Sequence, residues 1–239
     1  MGMSDPFDQL LQWLQELNFP ADRPRITLSY AQSLDGSIAL ENNAQLVLSN
    51  PISNRMTHHL RAHHDAILVG IGTILADDPQ LTVRLSEGRD PQPIILDRQL
   101  RTPLESRIFQ NERKPWIIAG REAPEIRRKM LEAAGATIHT LPTNEDVHID
   151  LKALVGLLAK EGLRRLMVEG GAQIIRSFLE ERIVDLIVLT IAPIFVNGLH
   201  SMGSGNTTFR SPFPRMDQPH WQMFASDLVL WGELKYGDP

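Results

Sequence analysis

Two glycine-bounded stretches carry the residue types that could do chemistry. The first is Gly70-Ile71-Gly72-Thr73, which follows the apolar run Ala66-Ile67-Leu68-Val69 without a break. Glycines let a backbone turn tightly and approach a ligand, while the Thr73 hydroxyl and free N–H groups can face an anion. Beyond it stand Asp77 and Asp78, then Pro79, which blocks helix continuation, and then Leu81-Thr82-Val83-Arg84, whose guanidinium could fork onto a phosphate. The second stretch is Glu169-Gly170-Gly171, set between the strand-like Arg164 to Val168 and a helical pattern over Ala172 to Glu181. N–H groups at that helix start would point back at the turn, a geometry that suits a diphosphate. A lone Gly-x-Gly-Thr turn is more often structural than cofactor-binding, and neither stretch has the Gly-x-Gly-x-x-Gly pattern. Two turns, near residues 71 and 170, nevertheless suit a cofactor laid across one sheet.

The elements that must position these residues follow from periodicity. Ala66 to Val69 is too short for an independent helix and lacks polar alternation, which fits a strand buried on both faces of an α/β sheet. Before it, Ser49 or Asn50 with Pro51 starts a helix that carries Met56 and Leu60 and reaches His64. Arg25 to Ala31 reads as a strand, followed by the turn Ser33-Leu34-Asp35-Gly36 and a short strand Ser37 to Leu40; by itself Asp35-Gly36 is a hairpin signal. Glu41 to Ala44 reads as a surface turn before Gln45 to Leu48. Further strands are expected at Pro93 to Leu96, Trp116 to Ala119, Thr137 to Leu141 and Val184 to Ile191, with helices at Ala123 to Ala134 and Leu151 to Glu161 and a polar loop from Pro142 to Asp146. A long loop through Gly203, Gly205 and Pro214 leads to Trp221 to Ala225 and Val229 to Leu234, an antiparallel hairpin. The fold class is therefore α/β, a mixed and mainly parallel sheet flanked by helices. Residues 25–239 read as one domain, preceded by an amphipathic helix over Ser4 to Phe19 and a linker to Pro24. Phe7, Leu10, Leu11, Leu14 and Leu17 share one face of that helix, which can dock on its own domain or on a partner.

Composition excludes several classes. With 239 residues, 42% hydrophobic and 22% charged, the chain can bury a full core and has no disordered character. A net charge of −5 and the lack of a basic stripe argue against nucleic acid as a partner. No apolar run approaches the ~20 residues of a membrane span, so a cytoplasmic protein is expected. The absence of cysteine excludes disulfides, thiolate zinc sites and a Cys nucleophile; redox chemistry would need a borrowed cofactor. His58, His59, His63 and His64 share one helix, and His59 and His63 have a zinc-like spacing, but no Glu follows His59 as in a zinc-protease helix. Hydrogen bonding, and no metal, is the expected use of these imidazoles.

The sequence resembles the riboflavin-biosynthesis reductases of the dihydrofolate-reductase-like fold, in their free-standing and deaminase-fused forms. Four blocks carry the resemblance, in order and spacing, from about Arg25 to Leu234: Tyr30 to Gly36, Met56 to His64, Ile67 to Arg84, and Val168 to Gly171 with the later Ile191-Ala192-Pro193. It implies hydride transfer from NADPH to C1′ of a phosphoribosylamino-pyrimidine, and a homodimer, with Val184 to Ile191 or the final hairpin as its interface. By position, Gly72, Thr73 and Asp77 would contact NADPH, and Gly170, Gly171, Ala172, Gln173 and Ile174 would hold its phosphates. Glu169 would reach the pyrimidine, Arg61 and Arg84 the ribose phosphate, with Leu81 packed nearby. Asp35 is the candidate for orienting or protonating, and a structural turn is the equal alternative. Arg98 and Arg121, each just past a strand, are candidates for the adenosine 2′-phosphate. Two departures bear on substrate. Gln45-Leu46-Val47 replaces a Ser-x-Trp element of the fused enzymes, and Ser29 stands where they tend to have Lys. A hydroxyl can accept from a ring amino group where an ammonium cannot, which favours the 2,5-diamino-pyrimidinone over its deaminated uracil analogue. A reductase of another heterocycle and a non-catalytic nucleotide-binding module are the competing readings.

Overall fold

The computed structural model describes residues 7–41, 46–144, 148–202 and 213–237. In chain order its elements are α1 (Asp8–Glu16), β1 (Arg25–Ser33), β2 (Ser37–Ala39), α2 (Pro51–Ala62), β3 (Ala66–Gly70), α3 (Ile71–Asp77), β4 (Gln92–Leu96), a 3-10 turn (Arg107–Gln110), β5 (Trp116–Ala119), α4 (Glu125–Ala133), β6 (Thr137–Thr140), α5 (Leu151–Lys160), β7 (Arg165–Val168), α6 (Ala172–Glu180), β8 (Leu186–Ala192), β9 (Leu199–His200), β10 (Arg215–Phe224) and β11 (Asp227–Lys235). Among the described residues, nine strands form one sheet in the order β10-β11-β8-β1-β7-β3-β4-β5-β6. Pairing is parallel from β8 to β6 and antiparallel from β8 through β11 to β10. This is the mainly parallel α/β sheet with a terminal antiparallel hairpin expected from the sequence.

Local chemistry accounts for the helix starts. The Asn50 side chain accepts from the N–H groups of Ile52 and Ser53, and Pro51 takes the first helical position of α2, where no donor is needed. Asp150 caps α5 in the same way. α1 ends where the buried Arg25 guanidinium takes the carbonyls of Leu14 and Leu17, a cation placed at the negative end of a helix.

Both faces of the sheet are covered. On one, Leu154 and Leu158 of α5 and Ile175 and Phe178 of α6 pack over Ile26, Leu28, Leu68 and Val168. On the other, α3 and α4 cover Ile67, Val69, Ile95 and Ile117, while α1 and α2 bring Phe7, Leu10, Leu14, Met56 and Leu60 onto Met167, Val188 and Trp231. The N-terminal helix is thus docked on its own domain.

Several local expectations are corrected. Gly70 to Thr73 is not a tight turn: β3 runs into α3 through Gly70, and Ile71 and Ile74 are buried one turn apart. β1 and β2 do not form a hairpin; the turn at Asp35-Gly36, with Gly36 at φ 82°, sends β2 to pair with the distant β9. β8 lies between β1 and β11, so it is an interior strand and offers no edge for a dimer interface. Both hairpin strands are longer than the sequence pattern suggests. The expected cap at Ser4, the turn residues Asn42 to Ala44, Gln45, Asp146, Gly203 and Gly205 lie outside the described residues.

Candidate active site

Strand order creates the site. From β3 the chain moves outward through β4, β5 and β6, then returns to insert β7 between β3 and β1. Such a reversal opens a crevice at the carboxyl ends of the strands. The two glycine-bounded stretches meet there, because β3 and β7 are parallel neighbours and the Glu169 N–H donates to the Leu68 carbonyl at 2.9 Å.

The glycines earn their place by close approach. A Cβ on Gly170 would lie 2.4 Å from the Ile174 Cβ, and one on Gly70 would lie 2.9 Å from the Ile174 Cγ1. One isoleucine therefore fills the room over both turns, and neither position accepts a side chain. Thr73, in the first turn of α3, puts its hydroxyl 3.9 Å from the position a Gly171 Cβ would take. Gly171 is the N-cap of α6, followed by Ala172, Gln173 and Ile174 in the first turn. Backbone N–H groups at the start of α6 and the Thr73 hydroxyl thus lie close together at Gly171, an arrangement that could hold a diphosphate. Gly72 lies inside α3, with open space where a Cβ would be, and Asp77 closes that helix, where desolvation raises its carboxyl pKa. The Gln173 side chain meets the His148 ring at 2.8 Å, a contact the sequence did not signal.

Charged side chains gather on the α2 side. Arg61 donates from Nε and from one terminal nitrogen to the two oxygens of Glu169, at 2.8 and 2.7 Å, and from the other to the Thr82 carbonyl at 3.1 Å. Burial acts to lower the Arg61 pKa, but the Glu169 carboxylate outweighs it and raises it. Three of the five guanidinium N–H groups are thereby engaged. The first task of Arg61 is to hold Glu169, and two N–H groups remain for a ligand. Arg84 donates to the Thr82 hydroxyl at 2.9 Å, and burial together with the charges of Arg61 and Arg107 lowers its pKa. An anion between these cations would relieve that repulsion. Leu28 pairs with Val168, so the next residues, Ser29 and Glu169, continue side by side on the face that α2 covers.

Other expected residues are placed differently. Leu81, at φ 56° and 2% exposed, packs its side chain in the core with Val69, Ile95 and Ile108. Asp35 accepts from the Ser33 hydroxyl at 2.6 Å, the Ser37 hydroxyl at 2.9 Å and the N–H groups of Val196 and Asn197 at 3.0 and 2.8 Å. The Ser33 bond, with the other three, holds its carboxyl well below the usual carboxylate range, so the geometry supports a clamp between two loops. Arg98 is paired with Glu122. The four histidines diverge: the His63 ring takes the His59 carbonyl, His64 bridges the Leu60 carbonyl and the Thr27 hydroxyl, and His59 stands against Phe7. Among the described residues no His, Asp or Glu cluster could hold a metal. His58, expected with the other helix histidines to serve by hydrogen bonding, accepts from the Arg84 N–H, a partner the sequence did not identify.

Comparison with known proteins adds a second line. The family model described as RibD C-terminal domain matches residues 24–230. The 2,5-diamino-6-ribosylamino-4(3H)-pyrimidinone 5′-phosphate reductase of Archaeoglobus fulgidus is 38% identical over 190 residues, 75% of this chain and 84% of its own. The protein of the same name from Saccharomyces cerevisiae is 32% identical over 223 residues, 88% and 87% of the two chains. A solved riboflavin biosynthesis reductase of that yeast superposes with a TM-score of 0.74 at 28% identity, covering 95% of this chain and all 100% of that one. RibD of Acinetobacter baumannii shares the fold, with a TM-score of 0.77 at 24% identity over 90% of this chain and 59% of its own.

Proposed function

The chain belongs to the RibD C-terminal domain family, and from that premise we propose that it reduces 2,5-diamino-6-ribosylamino-4(3H)-pyrimidinone 5′-phosphate with NADPH in riboflavin biosynthesis. The relatives that carry this activity in their names support the reaction. The observation that carries the reading is the meeting, at the carboxyl ends of β3 and β7, of the α6 N-terminus at Gly171 and the Thr73 hydroxyl with the cationic and acidic cluster of Arg61, Arg84 and Glu169.

The reaction opens a ribosyl ring to a ribityl chain, taking up one hydride at C1′ and one proton. A bound nicotinamide supplies the hydride, so the protein's work is binding and alignment. The N–H groups of α6 and Thr73 receive the cofactor phosphates. Glu169, held and oriented by Arg61, accepts from ring N–H donors of the pyrimidine, with Ser29 beside it. Arg84, with the two remaining Arg61 donors, takes the ribose phosphate. Asp35 fixes the loop beyond β8 at the end of β1.

The same reading assigns residues 25–239 to one reductase domain and gives the protein a cytoplasmic setting; no helix among the described residues is long and apolar enough to cross a membrane. It also takes the protein to be a homodimer. The edge strand β10, with Trp221 and Met223 exposed, supports the final hairpin as the interface. The test is loss of the reduced-nicotinamide band at about 340 nm with the diamino substrate, its uracil analogue and an NADH control. Oxidation of NADPH with the diamino form is the expected result; turnover of the uracil form alone would discard the Ser29 argument, and silence with both would discard the reaction.

A further inference from the structure

The segment between α3 and β4 has no regular structure from Asp78 to Pro91, so its backbone polar groups must find partners elsewhere. They do. The Val83 N–H donates to Asp90 at 2.7 Å, the Gln80 carbonyl accepts from Asn111 at 2.6 Å, and the Thr82 carbonyl accepts from Arg61. The backbone of Arg84 itself is held by one side chain: its N–H donates to Nδ1 of His58 at 2.9 Å. His58 also meets the Thr82 backbone, and it is 2% exposed, one helical turn before Arg61 on α2.

We propose that His58 is a positioning residue whose neutral imidazole fixes the Thr82–Arg84 backbone and so aims the Arg84 guanidinium at the substrate's phosphate. The inference rests on the role given to Arg84 above. Three observations carry it. Because Nδ1 accepts, the neutral ring carries its proton on Nε2, and the imidazole meets backbone groups at Thr82 and Arg84, two residues apart. A leucine would fill the same space and remove the acceptor that the Arg84 N–H has in His58. Finally, His59, His63 and His64 turn to other partners, so no shared cluster explains a buried imidazole at 58. Burial and the charges of Arg61 and Arg84 push the His58 pKa down to about 4, which keeps Nδ1 free to accept at neutral pH. The guanidinium of Arg84 then has its own short tether, the Thr82 hydroxyl, on the same fixed backbone.

The test compares wild type, His58→Asn and His58→Gln by NADPH oxidation, with the 5′-phosphorylated substrate and its dephosphorylated counterpart. Asn keeps an acceptor near the Nδ1 position; Gln keeps a donor near Nε2 and lacks that acceptor. We expect His58→Gln to raise KM for the phosphorylated substrate about tenfold with kcat within about twofold, and to leave turnover of the dephosphorylated one unchanged. His58→Asn restores most of the loss. Equal losses with both substrates, or an Asn variant no better than Gln, would mark His58 as an ordinary core residue and overturn the proposal. Calorimetric binding of inorganic phosphate needs no turnover and separates this inference from the reductase reading. If His58→Gln binds phosphate as tightly as wild type, the inference fails even where the enzyme reduces its substrate; if wild type binds phosphate more tightly, it stands even where no reduction is found.

Discussion

The two halves of the crevice are built from opposite materials. At the ends of β3 and β7 the wall is largely backbone, with the start of α6 at Gly171 and a single isoleucine, Ile174, packed over Gly70 and Gly170. On the α2 side it is almost all side chain, with Arg61, Glu169, Arg84 and His58 tied to one another and to the Thr82 backbone. A backbone wall presents donors at a fixed spacing and can approach a ligand closely, but it cannot be tuned by a single charge. A side-chain wall can recognise a particular ring and a particular phosphate, and it must spend hydrogen bonds on holding its own groups still. The first material suits a cofactor and the second a substrate.

That contrast can be broken from either side. The largest effect is expected from Gly170→Val, whose side chain would occupy space held by Ile174. NADPH titration should show affinity lost by about a thousandfold, on the order of 4 kcal/mol, with substrate-side binding of phosphate retained. Next comes Glu169→Gln, which leaves the Arg61 guanidinium, 11% exposed in its side chain, without its anion. A loss of about 3 kcal/mol in denaturant unfolding is expected, with kcat/KM reduced on the order of a hundredfold and NADPH binding little changed. Arg84→Ala should cost about 2 kcal/mol in substrate binding, read as a KM rise of some tens of fold at near-constant kcat. Should NADPH affinity fall in step with KM, the division between the walls would be wrong.

The smallest effect is the pH dependence contributed by His64, just past the end of α2. Burial holds His64 down at about pH 4 in the folded protein, against an ordinary value near 6.5. Below 6.5 the unfolded chain takes up a proton that the folded one refuses, so stability is full above that pH and falls as acid is added, until about pH 4. At pH 5.5 His64 should account for about 1 kcal/mol of the loss relative to pH 7, visible as a fall in Tm that is smaller in a His64→Gln variant, with the similarly depressed His58 supplying the remainder.

Sequence reasoning reached some of this and not the rest, for identifiable reasons. The strand Ala66 to Val69 was legible because an unbroken apolar run flanked by a glycine has few other uses, and Asn50-Pro51 wrote its own cap. Gly70 to Thr73 was misjudged because glycine suggests a turn, whereas here it permits contact with Ile174, a residue over a hundred positions away whose approach no local pattern records. The same holds for Arg61 and Glu169, separated by 108 residues: each looked like a ligand contact, and only the insertion of β7 beside β1 shows them bound to each other. Asp35-Gly36 was correctly a turn, but its strand partner, β9, comes from far along the chain.

The isoleucine behind the two glycines has a further implication, for the order in which this site can change. With Ile174 in place, neither residue 70 nor residue 170 can acquire even a methyl group without displacing its neighbour. Shortening residue 174 first would make room at both, at the cost of a packing defect in the layer of α6. The three positions therefore form a lock with one key: a lineage or a library that varies them singly meets dead ends at 70 and 170, while one that begins at 174 finds both doors open.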